Sequence, residues 1–388
     1  MSPTPQAYIA GVFEHPTRSA PDKTTAQLHA EAAAGALADA GLSLGDVDAY
    51  FCAGDAPGLG ALSMAEYIGL TPRLIDTTEL GGASYISHLN HAMRAIAAGR
   101  CTVALITLAG RPRSERSSGK AARVYSADAP DLPFELPFSP SMVALYGLVA
   151  ARHMHEFGTT SEQLAWIKVA ASQHARHNPA ARLPDPVTVE DVLASPMIAS
   201  PLHRLDCCVV TDGGGAVVVA AEGVMRSLDR PALRIAGAGE AIKHQNGGAV
   251  DLTYSAAARA GADAFAEAGV KPADVDYASI YDSFTITLLM QLEDLGFCEK
   301  GAGGRFVADG GLISGEGRLP VNTDGGGLCN NHPANRGGIT KIIEAVRQLR
   351  GAAAPALQVP NCRLALVSGI GGSLATRHGA AVALLERE

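Results

Sequence analysis

Ala36-Leu-Ala-Asp-Ala-Gly41-Leu-Ser-Leu-Gly-Asp46-Val-Asp48-Ala-Tyr50 returns 228 residues later as Ala264-Phe-Ala-Glu-Ala-Gly269-Val-Lys-Pro-Ala-Asp274-Val-Asp276-Tyr-Ala278. Each copy reads as a helix closed by a glycine C-cap, a short turn and a buried strand. Working outward, His91-Ala-Met-Arg-Ala-Ile96-Ala-Ala-Gly99 followed by Arg100–Ile106 matches Ile342–Gly351 and, after an insertion, Asn361–Val367, again helix then strand. Two copies of helix–strand–helix–strand in one order imply two α/β halves related by a pseudo-twofold, each too small to bury its helices alone. The expected result is βαβαβαββ in each half, stacked in five layers (αβαβα) with a helix layer between two sheets.

Residues 111–201 have no counterpart in the second copy and are richer in Pro, Arg and His, so they read as an inserted loop domain. The division is 1–110 plus 202–228 for the first half, 111–201 for the insertion and 229–388 for the second half. Within the insertion, Val143–Phe157 and Thr160–Ala175 have helical spacing, the latter opened by a Thr-Thr-Ser-Glu capping signal. The chain is expected to re-enter the first half as a strand pair around Cys207–Ala221 that turns at Thr211-Asp-Gly-Gly-Gly215. Two central helices should begin side by side at Gly81-Gly82-Ala83-Ser84 and at His332–Gly338, where positive dipole ends converge.

Composition narrows the function classes. Apolar runs such as Ala104–Leu108 are too short to span a bilayer, and Met1–Ala10 lacks a basic stretch followed by an apolar core. No membrane span and a cytoplasmic setting are expected. A net charge of −8 without a basic stripe argues against nucleic acid. Seven scattered cysteines without Cys-x-x-Cys spacing support neither a disulfide frame nor a zinc site. The loop-domain histidines 153, 155, 174 and 177 have no carboxylate or cysteine companions and read as solvated helix faces, with no metal expected.

Ala92-x-x-Ala-Ile-x-x-Gly99, Leu205-Asp-Cys-Cys-x-x-Thr-Asp-Gly213, Tyr281-Asp-Ser-Phe284, Asn322-Thr-Asp-Gly-Gly326 leading to Asn331-His-Pro333, and Gly369-Ile-Gly-Gly372 come in the order found in the thiolase superfamily. With the duplication, they make the chain resemble the sterol-carrier-protein-type thiolases over nearly its whole length. The resemblance implies a reactive cysteine seventeen residues before the glycine that closes its helix; counting back from Gly99 lands on Gly82. The subgroup's His-Asp-Cys-Phe motif reads Tyr281-Asp-Ser283-Phe284 here, and the C-terminal Cys-x-Gly position of other thiolases is Gly369. The His-Pro histidine is kept as His332, behind Asn331 in place of glycine.

Without a nucleophile to hold an acyl group, thiolysis is disfavoured. Stabilisation of a thioester enolate is not, and an enolate is also the product of retro-aldol cleavage of a β-hydroxyacyl-CoA, which needs no acyl-enzyme. Tyr281 and His332 are the candidate catalytic groups. Tyr281 stands either as base for the β-hydroxyl or as donor to the carbonyl. His378 either reaches the same cavity from the C-terminal loop or merely ends a strand. Gly82, Asn331 and Gly371 frame the oxyanion turn. Ser84, Ser283, Arg111 and Arg113, with Arg116 and Lys120, are candidate substrate or CoA contacts. Asp282 reads as an orienter of local backbone.

The sequence looks like the thiolase-like aldolases that cleave steroid side chains, which lack the same cysteine. That resemblance implies a CoA thioester substrate with no bound cofactor, a homodimer and a zinc-ribbon/OB-fold partner subunit. The alternatives are a thiolase-type acyltransferase with a recruited nucleophile such as Ser84, and a non-catalytic acyl-CoA- or lipid-binding subunit.

Overall fold

The computed structural model describes residues 6–116, 141–244, 249–333, 337–372 and 378–388. The first half runs β1 (Ala7–Glu14), α1 (Thr25–Ala40), β2 (Ala49–Cys52), α2 (Ala61–Ile68), β3 (Leu74–Asp76), α3 (Ser84–Ala97) and β4 (Val103–Gly110). Helices α4 (Met142–Phe157) and α5 (Ser161–Ala175) and a two-stranded ribbon, β5 (Met197–Ala199) with β6 (Leu202–His203), precede β7 (Gly213–Ala221). The second half repeats the pattern as β8 (Leu233–Lys243), α6 (Ala257–Ala268), β9 (Tyr277–Ile280), α7 (Thr285–Asp294), α8 (Gly338–Arg350), β10 (Leu364–Gly372) and β11 (His378–Arg387). Its third strand is reduced to one parallel bridge, Ala278 with Val321.

The two Asp-Val-Asp stretches do the same work in each half. Asp46 accepts a hydrogen bond from Ser43 N and Asp274 accepts one from Lys271 N, which closes the turn after the helix. Asp48 accepts from the Thr102 and Val103 N–H groups, and Asp276 from those of Arg363 and Leu364, so each aspartate ties one strand to the start of its parallel neighbour. The glycines closing these helices, Gly41, Gly269, Gly99 and Gly351, all have positive φ.

Strand order is β3-β2-β4-β7-β1-β8-β11-β10-β9, and the halves join through the single register pair Tyr8–Arg234. Helices α3 and α8 lie between the half-sheets. Ile86, Leu89, Ile339 and Ile342 pack with Ile106 and Val217 of one half-sheet and Val367 and Ala383 of the other. Alternate residues of β7 face opposite ways: Val217 and Val219 point to this central layer, Val218 and Ala220 to α1. Helix α6 covers the outer face of the second half-sheet, in a core shared with α4, α5 and α7. This is the five-layer αβαβα stack.

Two local expectations are corrected. Cys207–Thr211 is not the first member of a strand pair: it makes isolated bridges to Phe284 and Pro333, and Gly213–Gly215, expected in the turn, lie inside β7 beside β4 and β1. The cap of α5 is shifted by one residue, since Thr160 pairs with Gln163 rather than Thr159 with Glu162.

Candidate active site

Tyr281 leaves β9 with its N–H donating to Ser368 O at 2.9 Å, while Gln291 of α7 donates to its carbonyl at 2.7 Å and accepts from Ser368 Oγ. The backbone thus pinned sends the ring across to the start of α3. A Cβ on Gly82 would stand 2.4 Å from Tyr281 Cε2 and 2.5 Å from the Ile370 carbonyl oxygen. The tyrosine ring therefore occupies the room that a side chain at position 82 would need. Its hydroxyl lies 2.9 Å from His332 Nε2, and both residues are buried. A separation beyond about 10 Å would have excluded a shared site.

His332 does not open α8. It follows a one-turn π-type helix, Gly326–Asn330, and its N–H donates to Thr211 Oγ1 at 3.0 Å. Thr211 donates to Asn331 Oδ1, and Asn331 Nδ2 donates to Glu14, which is paired with Arg18 and Arg347. Burial pushes the Glu14 carboxyl up, but Arg347, Arg18 and Asn331 outweigh it and hold it below the ordinary range. On the other side, Asp282 accepts from Gly327 N and Leu328 N and pairs with Lys341 of α8 at 2.8 Å. The histidine is thus braced through backbone from both flanks.

The glycine frame is backbone against backbone. A Cβ on Gly371 would meet Leu80 O at 1.6 Å, and one on Gly338 would meet Gly82 O at 2.0 Å, which lets the end of β10 and the start of α8 close on the turn before α3.

Several candidates stand elsewhere or are already engaged. Ser84 Oγ accepts from Leu80 N and donates to Gly81 O, so it caps its own turn, and among the described residues no base hydrogen-bonds to it. Asn331 uses its amide on Thr211 and Glu14 rather than facing the tyrosine. The Ser283 carbonyl accepts from Cys208 N. Arg111 donates to the Ala20 and Pro21 carbonyls, whereas Arg113 and Arg116 are exposed; Lys120 lies outside the described residues. His378 begins β11 in register with Gly372 and Lys243, and its side chain lies outside the described residues.

The solvated reading of the loop-domain histidines is wrong for two of them. His153 is fully buried against Glu293 at 3.1 Å, and His174 is buried between Asn322 O and Ser314 N, because α4 and α5 pack on the second half rather than standing free. Among the described residues no His/Cys/Asp/Glu group is arranged to hold a metal, and no helix is long and apolar enough to cross a membrane. The thiols in electrostatic contact with Asp282, Cys208 and Cys329, are both raised by burial, which disfavours either as a replacement thiolate. Gln291 and Lys341 carried no signal in the sequence, and Thr211 entered only as part of the Leu205–Gly213 motif and its turn: the partners of all three come from other elements.

Residues 239–387 match the family described as "Thiolase C-terminal domain-like". The chain is 35% identical over 371 residues to the "17-hydroxy-3-oxo-4-pregnene-20-carboxyl-CoA lyase" of Mycobacterium tuberculosis, covering 89% of this chain and 92% of that protein. It is 34% identical to the "Acetyl-CoA acetyltransferase" of Methanothermobacter thermautotrophicus, with 88% and 90% covered. The solved structure titled "Ltp2-ChsH2(DUF35) aldolase" superposes with a TM-score of 0.87 at 32% identity over 98% of both chains.

Proposed function

The chain belongs to the thiolase superfamily, and within it we propose that it is a carbon–carbon lyase that cleaves a β-hydroxyacyl-CoA by a retro-aldol step. The observation that carries this is the Tyr281 ring standing over Gly82 with its hydroxyl 2.9 Å from His332 Nε2. A site so filled has no room for an acyl-enzyme at position 82, yet it holds a proton-transfer pair. Tyr281 takes the β-hydroxyl proton as its own phenolic proton passes to His332 Nε2, which carries the charge. The β-carbon becomes a ketone as the Cα–Cβ bond breaks, and its electron pair passes to Cα and the thioester oxygen as an enolate. The positive end of α3 faces that oxygen. Return of a proton to Cα releases the shortened acyl-CoA and restores the pair.

The acyl group is of the bulky, fused-ring class named in the lyase relative. We place the CoA phosphates near exposed Arg113 and Arg116, with Arg111 as a brace of the loop from which they project and Ser283 beside the thioester. The working division is 1–110 plus 202–228, 111–201 and 229–388, with the middle segment shaping the acyl cavity. A second subunit of the DUF35 type, as in the solved aldolase, is the expected partner. A homodimer is supported by Leu59, Leu62, Tyr67 and Ile75, all exposed on or beside α2 and the edge strand β3. Seven free cysteines suit a reducing cytoplasmic setting.

The test is to incubate the protein, alone and with a DUF35-type subunit, with 17-hydroxy-3-oxo-4-pregnene-20-carboxyl-CoA, and separately with a 3-ketoacyl-CoA plus CoA. Ketone release from the first alone is expected. The acetyltransferase relative favours a second reading, thiol-dependent acyl transfer, and cleavage of only the second substrate would establish it.

A further inference from the structure

Beside the Tyr281–His332 contact lies an ion pair that the proposed reaction leaves unused. Asp282 and Lys341 are each about 1% exposed at the side chain, and Lys341 Nζ is 2.8 Å from Asp282 Oδ1. Among the described residues that ammonium has no well-aligned hydrogen bond, although it carries three donors. A buried pair whose ammonium is so poorly satisfied adds little stability, and its place beside the site points to a consequence there.

Asp282 links the pair to both members of the site. It is the next residue after Tyr281, and its carboxylate accepts from Gly327 N and Leu328 N in the turn that leads to His332. A Cβ on Gly327 would stand 3.0 Å from Asp282 Oδ1 and 3.2 Å from His332 Cδ2, so the carboxylate and the imidazole edge face each other across that glycine. Lys341 enters from α8, whose first residue packs on the Gly82 carbonyl. Among the described residues, the other charged or titratable groups in electrostatic contact with this carboxylate or its turn are Cys208, Cys329 and Lys168; Lys168 reaches from α5 to Leu328 O at 2.7 Å and Cys329 Sγ at 3.1 Å.

We propose that Lys341 is a positioning residue: its charge holds Asp282, and through Asp282 the Gly326–Asn330 turn, so that the neutralised pair sets the proton equilibrium of Tyr281 and His332. For its kinetic consequence this rests on the lyase reading; for the proton equilibrium it does not.

Removing the cation alone leaves a carboxylate beside the couple, which favours protonated tyrosine and imidazole. Removing the anion alone leaves an ammonium, which favours the deprotonated forms. Lys341→Met should therefore move the couple's titration up by about one pH unit and Asp282→Asn should move it down by about as much. The double variant should return it to the wild-type value. The readout is NMR of isotope-labelled tyrosine and histidine in the full chain, assigned with Tyr281→Phe and His332→Gln, together with the pH profile of kcat/KM on the steroid CoA ester.

Opposite shifts in the single variants establish the proposal. Shifts of one sign, or none, in folded single variants overturn it, as does a folded double variant whose titration remains displaced. The double-variant arm decides the matter if a single variant does not fold. Absence of lyase turnover in the wild type would count against the proposed function and leave the NMR result standing.

Discussion

Placing a methyl group on Gly82 puts the coupling between that glycine and Tyr281 to a quantitative test. The added Cβ would lie 2.4 and 2.6 Å from Cε2 and Cζ of the tyrosine and 2.5 Å from Ile370 O. Carbon–carbon contacts settle at about 3.5–4.0 Å, so the ring must move by roughly 1 Å or more. It is held at one end by His332 and at the other by the backbone bonds to Ser368 and Gln291. Ile370 cannot retreat freely, because it is paired with Ala380 of β11. Overpacking of this kind costs about 1–3 kcal/mol, and a displacement of about 1 Å in a reacting group costs about 100-fold in rate. Gly82→Ala should therefore unfold at lower urea and lose about two orders of magnitude in lyase turnover. In a Tyr281→Ala background two of the three contacts vanish, and the same alanine should cost less than half as much stability. Denaturation of the four proteins of this cycle measures the coupling. Equal costs in both backgrounds, or a Gly82→Ala enzyme with wild-type stability and rate, would refute the packing argument. Gly82→Cys meets the same atoms, and no thiolase activity is expected from it.

Tyr281→Phe keeps the ring and removes the hydroxyl, so kcat should fall about 100- to 10,000-fold while CoA-ester binding persists; near wild-type turnover would remove Tyr281 from the chemistry. Ser84→Ala should cost about 1 kcal/mol of stability, as for a lost cap, and leave lyase turnover intact, whereas loss of a thiol-dependent activity in this variant would revive the acyltransferase reading. Thr211→Val deprives His332 N of its acceptor and should cost about 1–3 kcal/mol in urea denaturation. Burial drives His29 down to about 3 and His88 and His174 to about 4. Each is neutral in the fold but takes up a proton on unfolding below about pH 6.5, so stability is lost as pH falls from there towards 4, by roughly 2 kcal/mol per residue at pH 5. Burial raises Glu344 to about 7, which acts in the opposite sense over part of that window, its contribution being lost as pH rises through 7. Guanidinium midpoints at pH 7 and pH 5 check the balance, and a higher midpoint at pH 5 would contradict it.

The fold was legible because its decisive residues recur in one order in both copies. Asp46 and Asp274 close turns three residues away, a short-range signal, whereas Asp48 and Asp276 reach across 55 and 88 residues to the strand beside their own and stand out only because the same Asp-Val-Asp returns. His332 was legible through the Asn-His-Pro motif shared with the resembled family, although the helix start expected there lies at Gly338. The depth of His153 and His174 was not. Helical spacing predicts a face but not what covers it, and the cover comes from Glu293, Asn322 and Ser314 in the other half. Lys341 sits among Ile339, Ile342 and Ile343 on a largely buried helix, and its pairing with Asp282 is visible only in space.

Position 82 joins these two kinds of evidence. Read along the chain, Gly82 is a deletion: a nucleophile's place without a nucleophile. In space it is one half of an exchange, because the ring of Tyr281 takes the volume that a side chain there would fill and brings a hydroxyl to His332. A decaying thiolase site would lose its cysteine without reason to gain a bulky phenol in the vacated space. A lyase, which must accept a proton from a β-hydroxyl and never forms an acyl-enzyme, has reason for both changes. Each requires the other: tyrosine at 281 in this pose excludes any side chain at 82, and a side chain at 82 displaces the tyrosine from His332.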